Sequence, residues 1–378
     1  MRILHTADLH IGKRLHEMNL AEDQKFVLDE IVSIAESKKC DAVCIAGDIY
    51  DKTTPSAEAM GIFDVFVSAL VLRGISIYAI GGNHDSGERV NYFSGLLQQQ
   101  NVVLEGSYAG TLCKKTITDE FGEIDIYLLP YIKPVLIRKY FPDEKIETYE
   151  QAMTFVLREA KEEIQKDPNR RRILLSHQFV MGCGSCESEE IAIGGLDQIS
   201  GQVYEGFDYV ALGHLHGPQK AYGDMVRYSG TPLKYSLSEC SHKKSVTIVT
   251  LEEKGNVSLE LVPLKWLRDV RSIRGTYEEL IAMPVCRDYV ELVVTDEEVV
   301  PNARVSLMSV FPNMIRFRVD NQKVQTATTW EQDDTDLDEK SKLELMEEFY
   351  KMQNHGVAMS DGIREILLEV CESLGGIE

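Results

Sequence analysis

Residues 75–85 read Ile-Ser-Ile-Tyr-Ala-Ile-Gly-Gly-Asn-His-Asp. The first six suit a buried strand, the two glycines end it, and Asn83, His84 and Asp85 follow where it stops. The same punctuation occurs upstream. Residues 2–7 (RILHTA) read as a strand that delivers Asp8 and His10, and the run AVCIAG at 42–47 delivers Asp48. Between these strands, Phe26, Val27, Ile31 and Ile34 lie at helical spacing within 21–38, and a second helix is predicted over 56–72. Strand–helix–strand–helix–strand is the pattern of a layered α/β domain.

Downstream, strands are expected at 111–118, 125–129, 172–176, 208–212, 226–229, 245–251 and 257–262, with a long polar helix at 148–167. Two of these strands again end in metal-type residues: His177, and Gly213-His214-Leu215-His216. The i, i+2 spacing of Asp8 with His10, and of His214 with His216, points each pair to one face of an extended segment. Open α/β sheets bind ligands beyond the carboxyl ends of their strands. Each piece alone has an ordinary explanation, as a turn cap, a turn or a hydrogen-bonded core histidine. Five strand ends delivering Asp, Asn or His to one edge make a constellation.

Imidazole, carboxylate and amide oxygen suit Mn, Fe or Zn better than Mg or Ca. Seven candidate ligands (Asp8, His10, Asp48, Asn83, His177, His214 and His216) are too many for one ion. They fit two ions sharing a bridging carboxylate, an arrangement that activates water and neutralises a phosphoryl oxygen during in-line displacement. No Ser-His-Asp set, P-loop or Rossmann glycine fingerprint competes.

The length of 378 residues suggests two or three domains. A net charge of −21 argues against a broad basic face for DNA, although residues 331–378 alone carry −10, and bound cations would reverse the local sign. No apolar run approaches the ~20 residues of a membrane span. The N-terminal apolar run is too short for a signal peptide. Eight cysteines scattered from Cys40 to Cys371 do not form a secreted disulfide framework, so a cytoplasmic protein is expected. Pro263–Asp269 reads as a boundary. Beyond it come strand 270–274, helix 276–283, strand 288–295, helix 302–310 and strand 314–320, then an acidic linker at 331–339. Two amphipathic helices are predicted at 338–353 and 360–374, the second with Ile363, Ile366, Leu367, Val370 and Leu374 on one stripe.

Asp8-x-His10, Gly47-Asp48, Gly82-Asn83-His84-Asp85, His177 and Gly213-His214-x-His216 resemble the five motifs of the calcineurin-like metallophosphoesterases. HTADLHIG (5–12), GDIYDKTTPS (47–56), GNHDS (82–86), GHLHGPQ (213–219) and YSGTPLKYSLSE (228–239) narrow the resemblance to the SbcD family, the nuclease subunits of bacterial SbcCD complexes. It implies an α/β fold: a layered metallophosphoesterase β-sandwich flanked by helices, with a small α/β capping domain and a C-terminal helical pair. The implied domains are a nuclease domain at 1–265, a capping domain at 270–330 and an ATPase-docking region at 331–378.

The resemblance further implies two Mn²⁺ ions, one held by Asp8, His10, Asp48 and His216, the other by Asp48, Asn83, His177 and His214, with Asp48 bridging. His84 would be the catalytic histidine. The implied activity is 3′→5′ exonuclease and hairpin endonuclease action on DNA, in a homodimer partnered by an SbcC-type ATPase through the C-terminal helices. The apolar positions of 56–100 are candidates for the dimer contact. Archaeal and eukaryotic relatives usually carry a second histidine shortly after Gly-Asp. Here that stretch is Ile49-Tyr50-Asp51-Lys52, so Asp51 is read as a ligand-orienting group or a turn cap.

Arg89 is a candidate for a substrate phosphate or for a structural salt bridge. Arg170-Arg171-Arg172 is read as a solvated turn, Cys183-x-x-Cys186 as a loop without a second cysteine pair, and His5, His16, His242 and His355 as structural. Two other functions share these motifs: a phosphatase or cyclic-nucleotide phosphodiesterase with the same metals, and a non-catalytic scaffold that positions an ATPase on DNA.

Overall fold

The computed structural model describes residues 1–189, 196–298 and 300–320, together with Glu347, Tyr350, Met359 and 362–364. The expected C-terminal helices at 338–353 and 360–374 lie almost wholly outside the described residues.

Two six-stranded sheets pack face to face. The first has the spatial order Val257–Pro263, Ser245–Leu251, Arg2–Thr6, Ala42–Ala46, Ser76–Ile80, Val102–Glu105. Its last four strands run parallel, and the two from 245 to 263 are antiparallel additions. The second sheet has the order Gln219–Tyr222, Val226–Tyr228, Tyr209–Gly213, Arg171–His177, Gly122–Leu129, Cys113–Asp119, again with a parallel centre and antiparallel edges.

Period-2 alternation sends each strand's residues to two cores. Ala42, Cys44 and Ala46 face between the sheets with Ile3, Ile126, Ile173, Tyr209 and Ala211. Val43 and Ile45 face the outer helices Ala21–Ser37 and Ala57–Val71. Leu174, Val210 and Leu212 face Tyr149–Val156 and Arg158–Lys166 on the far side. The small side chains of Ala42, Cys44 and Ala46 let the sheets approach closely, which brings the carboxyl ends of both parallel sets to one edge.

The layered α/β architecture is the one expected from the sequence. The expected helix 148–167 is two helices, broken at Leu157 (φ −80°, ψ −4°). The arginine run is not a solvated turn. Arg171 and Arg172 are buried, with Arg171 on Asp119 and the Glu252 and Gly122 carbonyls, and Arg172 on the Asp167 and Glu163 carbonyls. These guanidiniums cap carbonyls at the pole opposite the strand carboxyl ends, which a run of like charges cannot reveal.

Residues 270–319 form a three-stranded parallel sheet, Val270–Gly275, Tyr289–Val294 and Met314–Val319, with two short helices and a core of Leu280, Val290, Leu292, Leu307 and Phe311. It is tied to the body through buried Asp23, which accepts from Tyr289 Oη at 2.8 Å and Arg268 Nε at 3.1 Å.

Candidate metal centre

The first strand ends at Thr6, and the chain turns through Asp8 (φ 53°) and His10 (φ 43°). Asp48 (φ 49°) and His214 (φ 109°) also lie in left-handed backbone, which costs non-glycine residues of order 1 kcal/mol or more each. The cost is offset by paired backbones. Asp8 N–H donates to the Gly47 carbonyl at 3.0 Å and His10 N–H to the Asp48 carbonyl at 2.9 Å. Gly47 (φ +92°) must be glycine, since a Cβ there would stand 2.1 Å from His177 Nδ1.

Asp8, His10, Asp48, His177, His214 and His216 are all buried. Each aspartate has one oxygen tied to a backbone amide of another motif: Asp8 Oδ1 accepts from His214 N–H, and Asp48 Oδ1 from His84 N–H, both at 2.9 Å. Asp48 Oδ2 faces three imidazoles, with His177 Nε2 at 3.4 Å, His10 Nε2 at 3.7 Å and His84 Nε2 at 3.9 Å. His10 Nε2 and His216 Nε2 stand 3.1 Å apart, and Asn83 Oδ1 lies 3.1 Å from both His177 Nε2 and His214 Nδ1. The structure therefore brings all seven sequence-derived ligand candidates together. Asp8, Asp48 and His177 bring ligand atoms within 4.8 Å of one another, and so do His10, Asp48 and His84, with Asp48 common to both groups.

The tautomers can be read from the outer partners. His177 Nδ1 donates to the Ala46 carbonyl at 2.8 Å, and His216 Nδ1 bonds Ser188 Oγ at 2.7 Å, so in both rings Nε2 is the nitrogen that faces inward. Burial drives His10 well below its ordinary range and His214 down to about 3, keeping both neutral. Asp8 Oδ2, His10 Nδ1 and His214 Nε2 are buried with no hydrogen-bond partner among the described residues. Converging acceptors and orphaned polar atoms are unfavourable in a protein interior unless positive charge is supplied, so this donor set fits divalent cations.

His84 lies at the rim, its Nδ1 donating to the Asp51 carbonyl at 3.0 Å. Arg89 is exposed on the short helix Gly87–Val90, and no ion pair to it occurs among the described residues. His5 is structural, bonded to Tyr209 Oη at 2.8 Å and to the Leu212 carbonyl at 3.1 Å.

Sequence reasoning missed Asp85, whose carboxylate accepts backbone N–H bonds from Ile49, Tyr50 and Gly82 and so clasps the second and third motifs together. It also missed Tyr131, whose ring stacks on His214 with centroids 6.3 Å apart. Asp85 sits inside a quoted motif and could have been found there. Tyr131 carries no spacing signal.

The calcineurin-like phosphoesterase family profile matches residues 1–218, and the SbcD C-terminal profile, described as the type 5 capsule protein repressor C-terminal domain, matches 267–354. The SbcD component of the nuclease SbcCD from Staphylococcus epidermidis is 32% identical over 323 residues, covering 83% of this chain and 84% of that protein. The chain belongs to the SbcD family of calcineurin-like phosphoesterases. Among solved structures, a dimetal phosphatase from Danio rerio is 12% identical with a TM-score of 0.44, covering 70% of this chain and 96% of that one. TT1561 of Thermus thermophilus is 14% identical with a TM-score of 0.39, covering 69% and 98%. Among the described residues, no helix is long and apolar enough to cross a membrane.

Burial pushes His177 down, but Asp48 and Asp8 outweigh it and hold the imidazole up at about 9. Because this lies above the ordinary 6.5, the linked stability is fully present below pH 6.5 and is lost as pH rises through 9. In chelator, the urea-unfolding free energy should therefore decline between about pH 6.5 and pH 9.5, by roughly 3 kcal/mol at most. A profile flat over that window, or one that rises, would contradict this assignment of charge to His177.

Proposed function

We propose that this chain is a DNA nuclease that hydrolyses phosphodiester bonds with two divalent cations, manganese foremost, and that it acts on DNA ends and hairpins with an SbcC-type ATPase. The observation that supports this most is Asp48 Oδ2, buried among three imidazole nitrogens with orphaned polar atoms of Asp8, His10 and His214 around it. Asp8, His10, Asp48 and His216 would hold one ion, and Asp48, Asn83, His177 and His214 the other. Bound there, the ions supply an activated water and neutralise charge on the phosphoryl group. Four histidines in the set favour Mn²⁺ over Mg²⁺, which prefers oxygen ligands.

The remaining work falls to the chain's own groups. The Asp51 carbonyl fixes His84 Nδ1 as a donor, leaving Nε2 to give or take a proton at the leaving oxygen. Arg89, exposed five residues further on, is suited to a flanking phosphate as a forked donor. In this reading residues 1–265 are the nuclease domain, 270–330 a cap and 331–378 the segment that docks the ATPase. Exposed Tyr92, Phe93 and Leu96 suit a homodimer contact. The setting is cytoplasmic.

Purified chain with Mn²⁺ should cut linear duplex and hairpin DNA in preference to cyclic nucleotides. Asp48→Ala should abolish cutting and release at least one ion. His84→Gln should lower the rate by about 10²–10⁴-fold while both ions stay bound. Metal analysis of the two variants separates a ligand from a proton donor, and loss of ions from the His84 variant would mean that its role is wrongly assigned. Preference for cyclic nucleotides or a nitrophenyl phosphodiester would favour the small-substrate reading.

The acidic segment beyond 331 repels DNA and suits a basic protein surface. Truncation after Thr335 should leave Mn²⁺-dependent cutting intact and abolish co-purification with the ATPase. Full-affinity binding by the truncated chain would remove the docking role.

A further inference from the structure

His216 is gripped from both ends by residues that belong to none of the five motifs. At its ring, Nδ1 bonds Ser188 Oγ at 2.7 Å, Ser188 O–H donates to Glu239 Oε1 at 2.6 Å, and that same carboxylate oxygen lies 3.5 Å from Nδ1 itself. At its backbone, the carbonyl accepts from Lys244 Nζ at 2.8 Å. Glu239 and Lys244 pair with each other, with both side chains inaccessible to solvent. Thr231 Oγ1 accepts from Lys244 at 2.6 Å, and Tyr235 N–H donates to Glu239 at 3.2 Å. The Tyr235 ring stands edge-on to His10 and His216, with centroids 5.7 and 6.3 Å away.

A buried ion pair contributes little to stability compared with apolar residues of the same shape, because desolvation cancels most of its attraction. This pair spans only five residues, Glu239 to Lys244, so it does not close a long loop. What it does is hold one histidine at two points. A carboxylate behind an imidazole fixes the tautomer and raises the basicity of the inward nitrogen. Cys186, His216 and Glu239 also bring ligand atoms within 4.8 Å of one another. The Lys244 ammonium already neutralises Glu239 there, which favours an internal relay over a third metal site.

We propose that Glu239, held by Lys244 and acting through Ser188, is the positioning residue that turns His216 Nε2 toward a bound cation and sets that cation's affinity. The inference rests on the two-ion reading above. The network bonds His216 and, through the Tyr235 ring, borders His10, whereas His177 is oriented separately by the Ala46 carbonyl. Its loss should therefore weaken one ion and spare the other.

The test is Mn²⁺ titration by calorimetry on the full chain, comparing wild type, Glu239→Gln, Ser188→Ala and Asp48→Ala, with urea unfolding alongside. Glu239→Gln should weaken one of two ions by about 10–100-fold and leave the other within a factor of two or so. DNA cutting should fall in step and recover at higher Mn²⁺. Ser188→Ala keeps the ion pair and its packing, so it decides the matter if the Glu239 variant folds poorly. It should weaken the same ion by a smaller factor. Wild-type affinity at both sites in both variants would overturn the proposal, as would equal weakening of both ions together with a matching loss of stability. Wild type that binds no second ion, or Asp48→Ala that binds both, would instead bring down the two-ion reading on which the proposal stands.

Discussion

A single buried carboxylate oxygen, Asp48 Oδ2, has three imidazole nitrogens within 4 Å. Three of the strand ends that feed the site converge on it, and they arrive from different places: His10 after the first strand, His84 after the third, and His177 from the opposite sheet. For these to meet, two parallel sheets must present their carboxyl ends at one edge and pack closely enough for their loops to touch. The alanines and cysteine between the sheets, the glycine at 47 and the left-handed turns at Asp8, His10 and Asp48 all serve that meeting. Left-handed backbone at Asp8, His10, Asp48 and His214 and the buried carboxylates of Asp8 and Asp48 coincide at this edge.

Much of this was legible in the sequence because strands and their punctuation are local. The strands at 42–46, 76–80 and 245–251 and the helix at 57–71 follow from apolar periodicity and bounding glycines. The candidate ligands were legible for the same reason, since each lies within four residues of a strand end. What could not be read was tertiary. The break at Leu157 leaves the polar pattern of the helix unchanged. Arg171 and Arg172 look solvated by composition, yet Arg171 meets Asp119 and the Gly122 and Glu252 carbonyls far along the chain, and Arg172 turns back onto the Glu163 and Asp167 carbonyls at the end of the preceding helix. Glu239 closes the quoted stretch 228–239 and Lys244 lies just beyond it, but nothing in their spacing shows that the fold buries them under His216. Supporting residues of this kind carry no fixed spacing to the groups they support.

The small sheet at 270–319 has its own core, yet it is not independent of the body. Tyr289 and Arg268 meet at Asp23, on the helix that covers the first sheet, and Val270 and Tyr289 also contribute to the body's outer core. These contacts fix the small sheet to the helix that covers the first sheet. Placed against the sequence-wide charge of −21, the site shows why net charge is a poor guide here. Negative groups gathered at one edge are a demand for cations, and an edge loaded with cations can receive a phosphate.

The central claim is that this edge holds two cations with Asp48 between them. Anomalous scattering from crystals of the full chain soaked in Mn²⁺, collected at the manganese edge, tests it most directly. The account predicts two strong peaks flanking the Asp48 carboxylate, one against His10 and His216 and the other against Asn83 and His177. A single peak, or peaks that leave Asp48 untouched, would contradict it.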